Sequence, residues 1–466
     1  MAGLLTDLYR FSPAWVQNIG VSLYGFQWQR RRFGGVFDRE YAGFKEREGY
    51  THDQWNDYQN EHLNRLLLSA FKNVPYYQAK YEKAGFDASD LSKIDLTTLA
   101  KLPIIEKAEL REYGDNSLLS LKREKNGVFF TSSGSTGTPV KLLFSDAMHQ
   151  RWSAAFEARI RNWAGLDRFH SRGMIGGRNI LGNNYDRPPY FRYNYFEKQV
   201  YFSIYHISKK NARYYYETIL NYGLDYMTGY AISNALLASF FEEEGWAPIP
   251  LKAVITSSEK LTPSMRGIFN RVYGCKTYDS YSGIEACGLF SEKPDGNMYS
   301  SPDVGILEIV DEHGNPCPEG TSGEVLFTGL LNFDQPLIRY RIGDLATLAS
   351  SAGKSTSFSM PQISEIVGRT DDVLCLPGGK KIASFNRIFA DINGIIEAQV
   401  IQQDICKLLL NLVVSPGFNK IEEHKLIKII QERFGNELSL EICFLEHIPR
   451  GKNGKYKAVI SHIKNV

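Results

Sequence analysis

Thr131-Ser132-Ser133-Gly134-Ser135-Thr136-Gly137-Thr138-Pro139 leaves the apolar run Val128 to Phe130 and leads into a second run, Val140 to Phe144. Small residues let backbone amides approach an anion closely, and the hydroxyls add donors, so this loop suits a polyphosphate. It is not a GxxxxGK[ST] loop, because no lysine follows its last glycine. A Ser/Gly linker shares the composition, but linkers rarely join two apolar strands.

On either side of the loop the pattern alternates between helix and strand. An amphipathic stretch through Trp152, Ala155, Phe156 and Ile160 precedes the short run Met174, Ile175. Ala253 to Thr256 reads as a buried strand; Pro263 then sits at the first helical position after Thr262, Gly274 closes that helix, and a strand follows near Lys276 to Tyr278. This is an α/β texture. Upstream, Thr51 and Gln54 have capping-box spacing, Trp55, Tyr58, Leu63, Leu66, Leu67, Ala70 and Phe71 fall at helical intervals, and Pro75 ends the helix. Downstream of Pro302, Gly305 to Val310, a turn with Gly314 and Asn315, and Gly323 to Thr328 predict hairpins. A loop follows from Ala349 to Ser359. Beyond Val367 a compact segment has strands at Val400 to Gln402 and Leu408 to Val414 and a helix from Ile421 to Phe434. The expected architecture is a large N-terminal α/β domain (1–370) with a β-rich subdomain, plus a small C-terminal α+β domain (371–466).

Composition excludes several classes. The 466 residues carry 54 basic and 52 acidic side chains, a formal charge of +2, which argues against a phosphate-backbone binder. The densest basic run, Arg30-Arg31-Arg32, reads as a solvated helix face. Cysteines at 275, 287, 317, 375, 406 and 443 form no CxxC pair, which fits a reducing compartment. The apolar N-terminus is interrupted by Asp7, Arg10, Gln17 and Asn18, short of a spanning segment or signal peptide. A cytoplasmic location is expected. The same aromatic, amphipathic opening also suits a membrane surface or a partner.

The loop resembles the phosphate-binding signature of the adenylate-forming ligases, and four further stretches match that superfamily in order: Tyr281 to Glu285, Tyr340 to Asp344, Gly368 to Asp372, and Asn453 to Lys455. Leu102-Pro103-Ile104, Ser257 to Leu261 and Pro336 to Arg341 resemble the phenylacetate-CoA ligase-like branch, which includes relatives linked to capsule or surface-polysaccharide synthesis. The resemblance implies that the large domain binds ATP and an acyl group and that the mobile small domain carries a catalytic lysine.

Residue by residue, the resemblance assigns the nucleotide to Ser132, Ser133, Gly134, Ser135, Thr136, Gly137, Ser258, Glu259, Asp279, Tyr281, Ser282, Asp344 and Arg369. Joining a carboxylate to a phosphate crowds negative charge, so the site needs cations and oriented donors. Glu285 is a candidate Mg²⁺ ligand, since hard oxygen donors suit that ion; a surface Glu in a turn is the alternative. Tyr281 offers an aromatic face to adenine, or is a core tyrosine. Asp344 would accept from ribose hydroxyls, or simply follow the turn at Gly343. Arg369 reaches toward ribose or phosphate, or forms a structural salt bridge. Lys455 would bridge the carboxylate and the α-phosphate, against the bland reading of a solvated basic tail with Lys452 and Lys457. Asp371 matches the hinge position, and rotation there would exchange Lys455 for the loop Pro377-Gly378-Gly379-Lys380-Lys381, whose glycines leave room for pantetheine.

Val140 stands where many superfamily members carry Lys, and Lys141 would face the other side of a strand. Cys287, His313 and Cys317 lack paired zinc spacing. Tyr226 to Ala231, read as the start of a helix, would lie near the acyl pocket with Tyr230 and Gly283. The aromatic character of that stretch agrees with an aryl or arylacetic acid and also with plain core packing, whereas the run Tyr190 to Tyr205, with eight Tyr or Phe residues, suits a sugar- or peptide-facing surface. Three functions follow: adenylation of a carboxylic acid with transfer to CoA, transfer instead to an amine, or a non-catalytic nucleotide-binding relative. ATP and Mg²⁺ are the implied small molecules, with CoA as a candidate acceptor and no nucleic acid.

Overall fold

The computed structural model describes residues 9, 12–131, 139–178, 180–181, 187–350, 358–369, 373–375, 381–383, 388–389, 392–434, 438–450 and 457–463. Two compact units are formed, one from residues 1–27, 168–279 and 368–466, the other from 28–167 and 280–367.

The first unit contains a mainly parallel sheet in the order Lys276–Tyr281, Ala253–Ser257, Tyr226–Tyr230, Arg172–Gly176, Gln199–Ser203, Phe191–Asn194. The last strand is antiparallel to its neighbour. Helices Ala212–Asn221, Ala231–Glu243 and Pro263–Tyr273 accompany it, and their apolar faces share one core with the strands, including Val200, Met227, Leu237, Val254 and Phe269. The helix at 263 starts and stops as its residues dictate: the Thr262 hydroxyl accepts from the Met265 amide, and Gly274 closes it in the left-handed region at φ 62°.

Tyr226–Tyr230 is a strand, not the opening of a helix; the helix begins at Ala231. A central parallel strand is covered on both faces, so its apolar run lacks alternation and resembles buried helix. Gly229 is required there, because a Cβ would lie 1.9 Å from the Ile175 carbonyl oxygen of the adjacent strand. The aromatic run divides in two: Tyr190, Tyr201 and Phe202 are buried, while Tyr195 and Phe196 are exposed at the hairpin turn.

Within the same unit the C-terminal segment has its own four-stranded sheet, ordered Ser439–Phe444, Lys407–Val414, Ile395–Asp404, Val459–Ser461, with the helix Lys420–Phe434. Leu408, Leu410, Leu412, Leu426 and Ile430 build a separate core. Ile396, Val413 and Ile448 instead join the core of the larger sheet.

The second unit begins with helices Phe37–Arg47, His52–Asn73 and Pro75–Lys83. Thr51 and Gln54 exchange both capping-box hydrogen bonds, and Pro75, where the preceding helix has ended, opens the next one. Val128–Thr131 and Lys141–Phe144 pair antiparallel on either side of residues 132–138. An antiparallel sheet runs in the order Phe290–Glu292, Met298–Ser300, Gln362–Arg369, Tyr340–Leu348, Ser322–Gly329, Gly305–Val310. Arg31 departs from the solvated face expected of it: its guanidinium pairs with Asp146 and donates to the Phe144 carbonyl at 2.7 Å, tying the helix Ala14–Phe33 to the hairpin. Among the described residues no helix is long and apolar enough to cross a membrane.

Candidate active site

In the first unit, Asp279 accepts a hydrogen bond from the buried Thr256 hydroxyl at 2.9 Å. Ser258 follows the strand Ala253–Ser257 with φ 70°, a conformation costly for a residue with a Cβ and concentrated at functional sites. The turn brings Glu259 against the start of the preceding helix Ala231–Glu243, where its Oε2 accepts from the Ile232 amide at 3.0 Å. A carboxylate at a helix N-terminus is stabilised by the unpaired amides there. Tyr230, which ends its strand one residue before that helix, has its phenol pushed up to about 12 by burial and by the Glu259 charge.

In the second unit, Ser280 and Tyr281 pair with Ser291 and Phe290. One face of Tyr281 stacks on Phe290, with centroids 4.9 Å apart, so only the other face remains for a ring of any ligand. Its hydroxyl donates to Asp344 Oδ2 at 2.6 Å. Burial, and then the adjacent carboxylate, hold this phenol far above its ordinary value, so it stays a donor. Asp344 thus has one oxygen oriented before any ribose is considered.

The chain then turns through Ser282 and Gly283 to Glu285. A Cβ on Gly283 would meet Glu285 Oε2 at 2.3 Å, so the glycine is what allows the carboxylate to fold back over the turn. Ala286, with φ 49°, continues the tight backbone. Glu285 is only 6% exposed and accepts from the buried Tyr340 hydroxyl at 3.3 Å. Among the described residues Glu285 has no cationic partner, which is unusual for a carboxylate at such burial. Tyr340 lies in one of the sequence stretches but had no role assigned; its proximity to Glu285 is set by the sheet and is not visible in spacing.

Phe130, Phe144, His149, Trp152, Ser282, Gly283 and Ile284 line a cavity of about 270 Å³ beside this turn. His149 is its one imidazole, buried at 9% exposure, with the Trp28, Phe130 and Phe144 rings around it and no hydrogen-bond partner for Nδ1 among the described residues. Burial first, then Arg32 and Arg31, lower its pKa to about 3, so it is neutral at physiological pH. Sequence reading placed the helix through Trp152 but missed His149; its interval of three from Trp152 on an amphipathic helix was the available signal.

Several expected site residues fall outside the described residues: Ser132, Ser133, Gly134, Ser135, Thr136 and Gly137 in the loop, Asp371, Gly378, Gly379 and Lys455. Arg369 ends a strand, and its side chain is likewise outside them. Lys141 pairs with Asp115 at 2.5 Å on the surface.

Residues 374–462 match the family described as the CapK C-terminal domain. Over 99% of its length the chain is 24% identical to Protein CapK of Staphylococcus aureus, covering all of that protein. It is 27% identical to the phenylacetate-coenzyme A ligase of Aromatoleum evansii over 71% of this chain and 74% of the relative. The crystal structure of a 2-hydroxyisobutyryl-CoA ligase in the postadenylation state shares its fold, with a TM-score of 0.69 at 19% identity over 89% of this chain and 91% of the other. The chain is therefore a homologue of CapK and of the phenylacetate-CoA ligases, with the fold of the adenylate-forming CoA ligases.

Proposed function

We propose that the protein activates a carboxylic acid with ATP and transfers the acyl group to coenzyme A. The reading rests above all on Glu285, a carboxylate buried over a glycine turn, held by one phenol, and without a cation among the described residues. A bound Mg²⁺ would neutralise phosphate oxygens there, and its preference for carboxylate plus phosphate ligands suits Glu285. Asp344, oriented by Tyr281, would receive the ribose hydroxyls, with the adenine on the Tyr281 face opposite Phe290. Lys455 would lie between the acid and the α-phosphate. A carboxylate oxygen bonds to the α-phosphorus, the bond to the β-phosphate oxygen breaks, and pyrophosphate leaves. The CoA thiolate then attacks the acyl carbon and AMP departs, with the thiol proton passing to solvent. Rotation at Asp371 would separate the two steps.

The alternative in which the acyl-adenylate is handed to an amine shares this first half-reaction. ATP/pyrophosphate exchange over a panel of aryl, arylacetic and hydroxy acids, with wild type and Lys455→Ala, tests the first half-reaction. Exchange with at least one acid that Lys455→Ala lowers about 100-fold or more supports it; equal exchange in both removes Lys455 from the step. Product masses with CoA and with amine mixtures then separate the acceptors.

A further inference from the structure

The helix Ala14–Phe33 is amphipathic the wrong way round for a helix of a soluble protein. Its fully buried residues are all polar or small, namely Gln17, Ser22 and Gly25. Gln17 accepts from the Arg192 guanidinium and donates to the Tyr9 and Ser12 carbonyls. Asn18 Oδ1 accepts from the Tyr193 amide at 3.0 Å, Ser22 Oγ accepts from the Tyr195 amide at 3.1 Å, and Gly25 lies directly against Asn194. The helix is thus fixed by hydrogen bonds to the hairpin 190–197.

Its apolar side faces solvent. Trp15 is 66% exposed, Ile19 47%, Leu23 60% and Phe26 38%. At 100° per residue these four fall within a narrow arc, and exposed Arg30 falls in the same arc. Phe26 touches Phe196 of the hairpin turn, centroids 4.8 Å apart, and Tyr195 and Phe196 extend the patch at 61% and 48% exposure. Single exposed apolar side chains are ordinary, but a contiguous aromatic and aliphatic patch on a pinned helix marks a contact surface.

Charge selects the occupant. The helix contains no acidic residue, carries exposed Arg30 near its end, where the neighbouring Arg31 is instead paired with Asp146, and is flanked at the hairpin turn by exposed Lys198. Tryptophan, phenylalanine and leucine beside basic side chains, with no acid, fit the interface of an anionic bilayer. We propose that this face docks the protein on an anionic lipid surface, Trp15, Ile19, Leu23, Phe26 and Phe196 entering the headgroup boundary and Arg30 and Lys198 meeting lipid phosphates.

The test is flotation of the full chain with vesicles of phosphatidylcholine alone or mixed with phosphatidylglycerol, at low and high salt, with sedimentation in parallel. Wild type should float with the mixed vesicles, poorly with phosphatidylcholine alone, and less at high salt. Trp15→Ser combined with Leu23→Ser should lower the bound fraction about tenfold or more, and Arg30→Gln about fivefold. Ile19→Ser is the second apolar variant should the double variant not fold, and unchanged circular dichroism shows that the fold is intact. No flotation of wild type, or flotation untouched by the apolar variants, overturns the proposal. A wild-type dimer that those variants dissolve, without vesicle binding, assigns the face to a second copy and overturns it as well.

Discussion

Asp303 and Glu285 are both buried carboxylates of the same unit, and their surroundings are opposite. Asp303 is met by two guanidiniums, Arg47 at 2.9 Å and Arg159 at 3.0 Å, and the network continues from Arg159 to Glu48 at 2.8 Å. Its charge is balanced by the protein itself. Glu285 has a neutral phenol and, among the described residues, nothing cationic. A buried charge is tolerable when paired and expensive when not. The first arrangement therefore belongs to the fold, and the second belongs to a site that a cation completes.

Substitutions can separate the two. Asp303→Asn leaves Arg47 and Arg159 facing each other in the interior, and should cost roughly 3–5 kcal/mol of stability, read as a lower thermal midpoint, with exchange per folded molecule retained. Glu285→Gln should do the reverse. Exchange falls about 100- to 1,000-fold, while the midpoint holds or rises, because removing an unpaired buried charge relieves strain stored for function. If Glu285→Gln unfolds the protein as Asp303→Asn does, the distinction fails.

His149 sharpens the comparison from the side of the bases. Its folded pKa of about 3 lies below the ordinary 6.5, so its contribution is complete above about 6.5 and is lost as pH falls toward 3. His149→Phe should remove roughly a few kcal/mol of acid sensitivity within that window, measured as stability against pH, and should leave the neutral range little changed. An unchanged acid limb would show that the imidazole is not buried neutral. The smallest effect is expected from Tyr281→Phe, which deletes one hydrogen bond to Asp344: about 1 kcal/mol, seen as a several-fold rise in KM for ATP with kcat nearly constant.

What the sequence made legible was local. Thr51 with Gln54, and Thr262 with Pro263 and Gly274, mark helix ends through bonds spanning three or four residues, and the structure shows those bonds. The hairpin Gly305–Val310 to Ser322–Gly329 was readable from its turn residues. Tyr226–Tyr230 was misread because a strand covered on both faces loses the alternation that identifies strands. The candidate site was legible as residue types in order, but not as partners. Tyr340 is 55 residues from Glu285 and Asp344 is 63 from Tyr281, and sheet pairing alone brings them together. Arg31 was misread for the same reason: Asp146 lies 115 residues away in sequence, so nothing near Arg31 announced that it would be partly buried. The inverted helix hid in the same way, since composition shows an amphipathic segment but not which side is packed.

The most direct measurement is calorimetry of ATP binding with and without Mg²⁺, on wild type and on Glu285→Gln. Mg²⁺ should tighten ATP binding to the wild type and give little or no gain in the variant. The same gain in both proteins would contradict it, because the carboxylate beneath the Gly283 turn would then have no part in holding the ion.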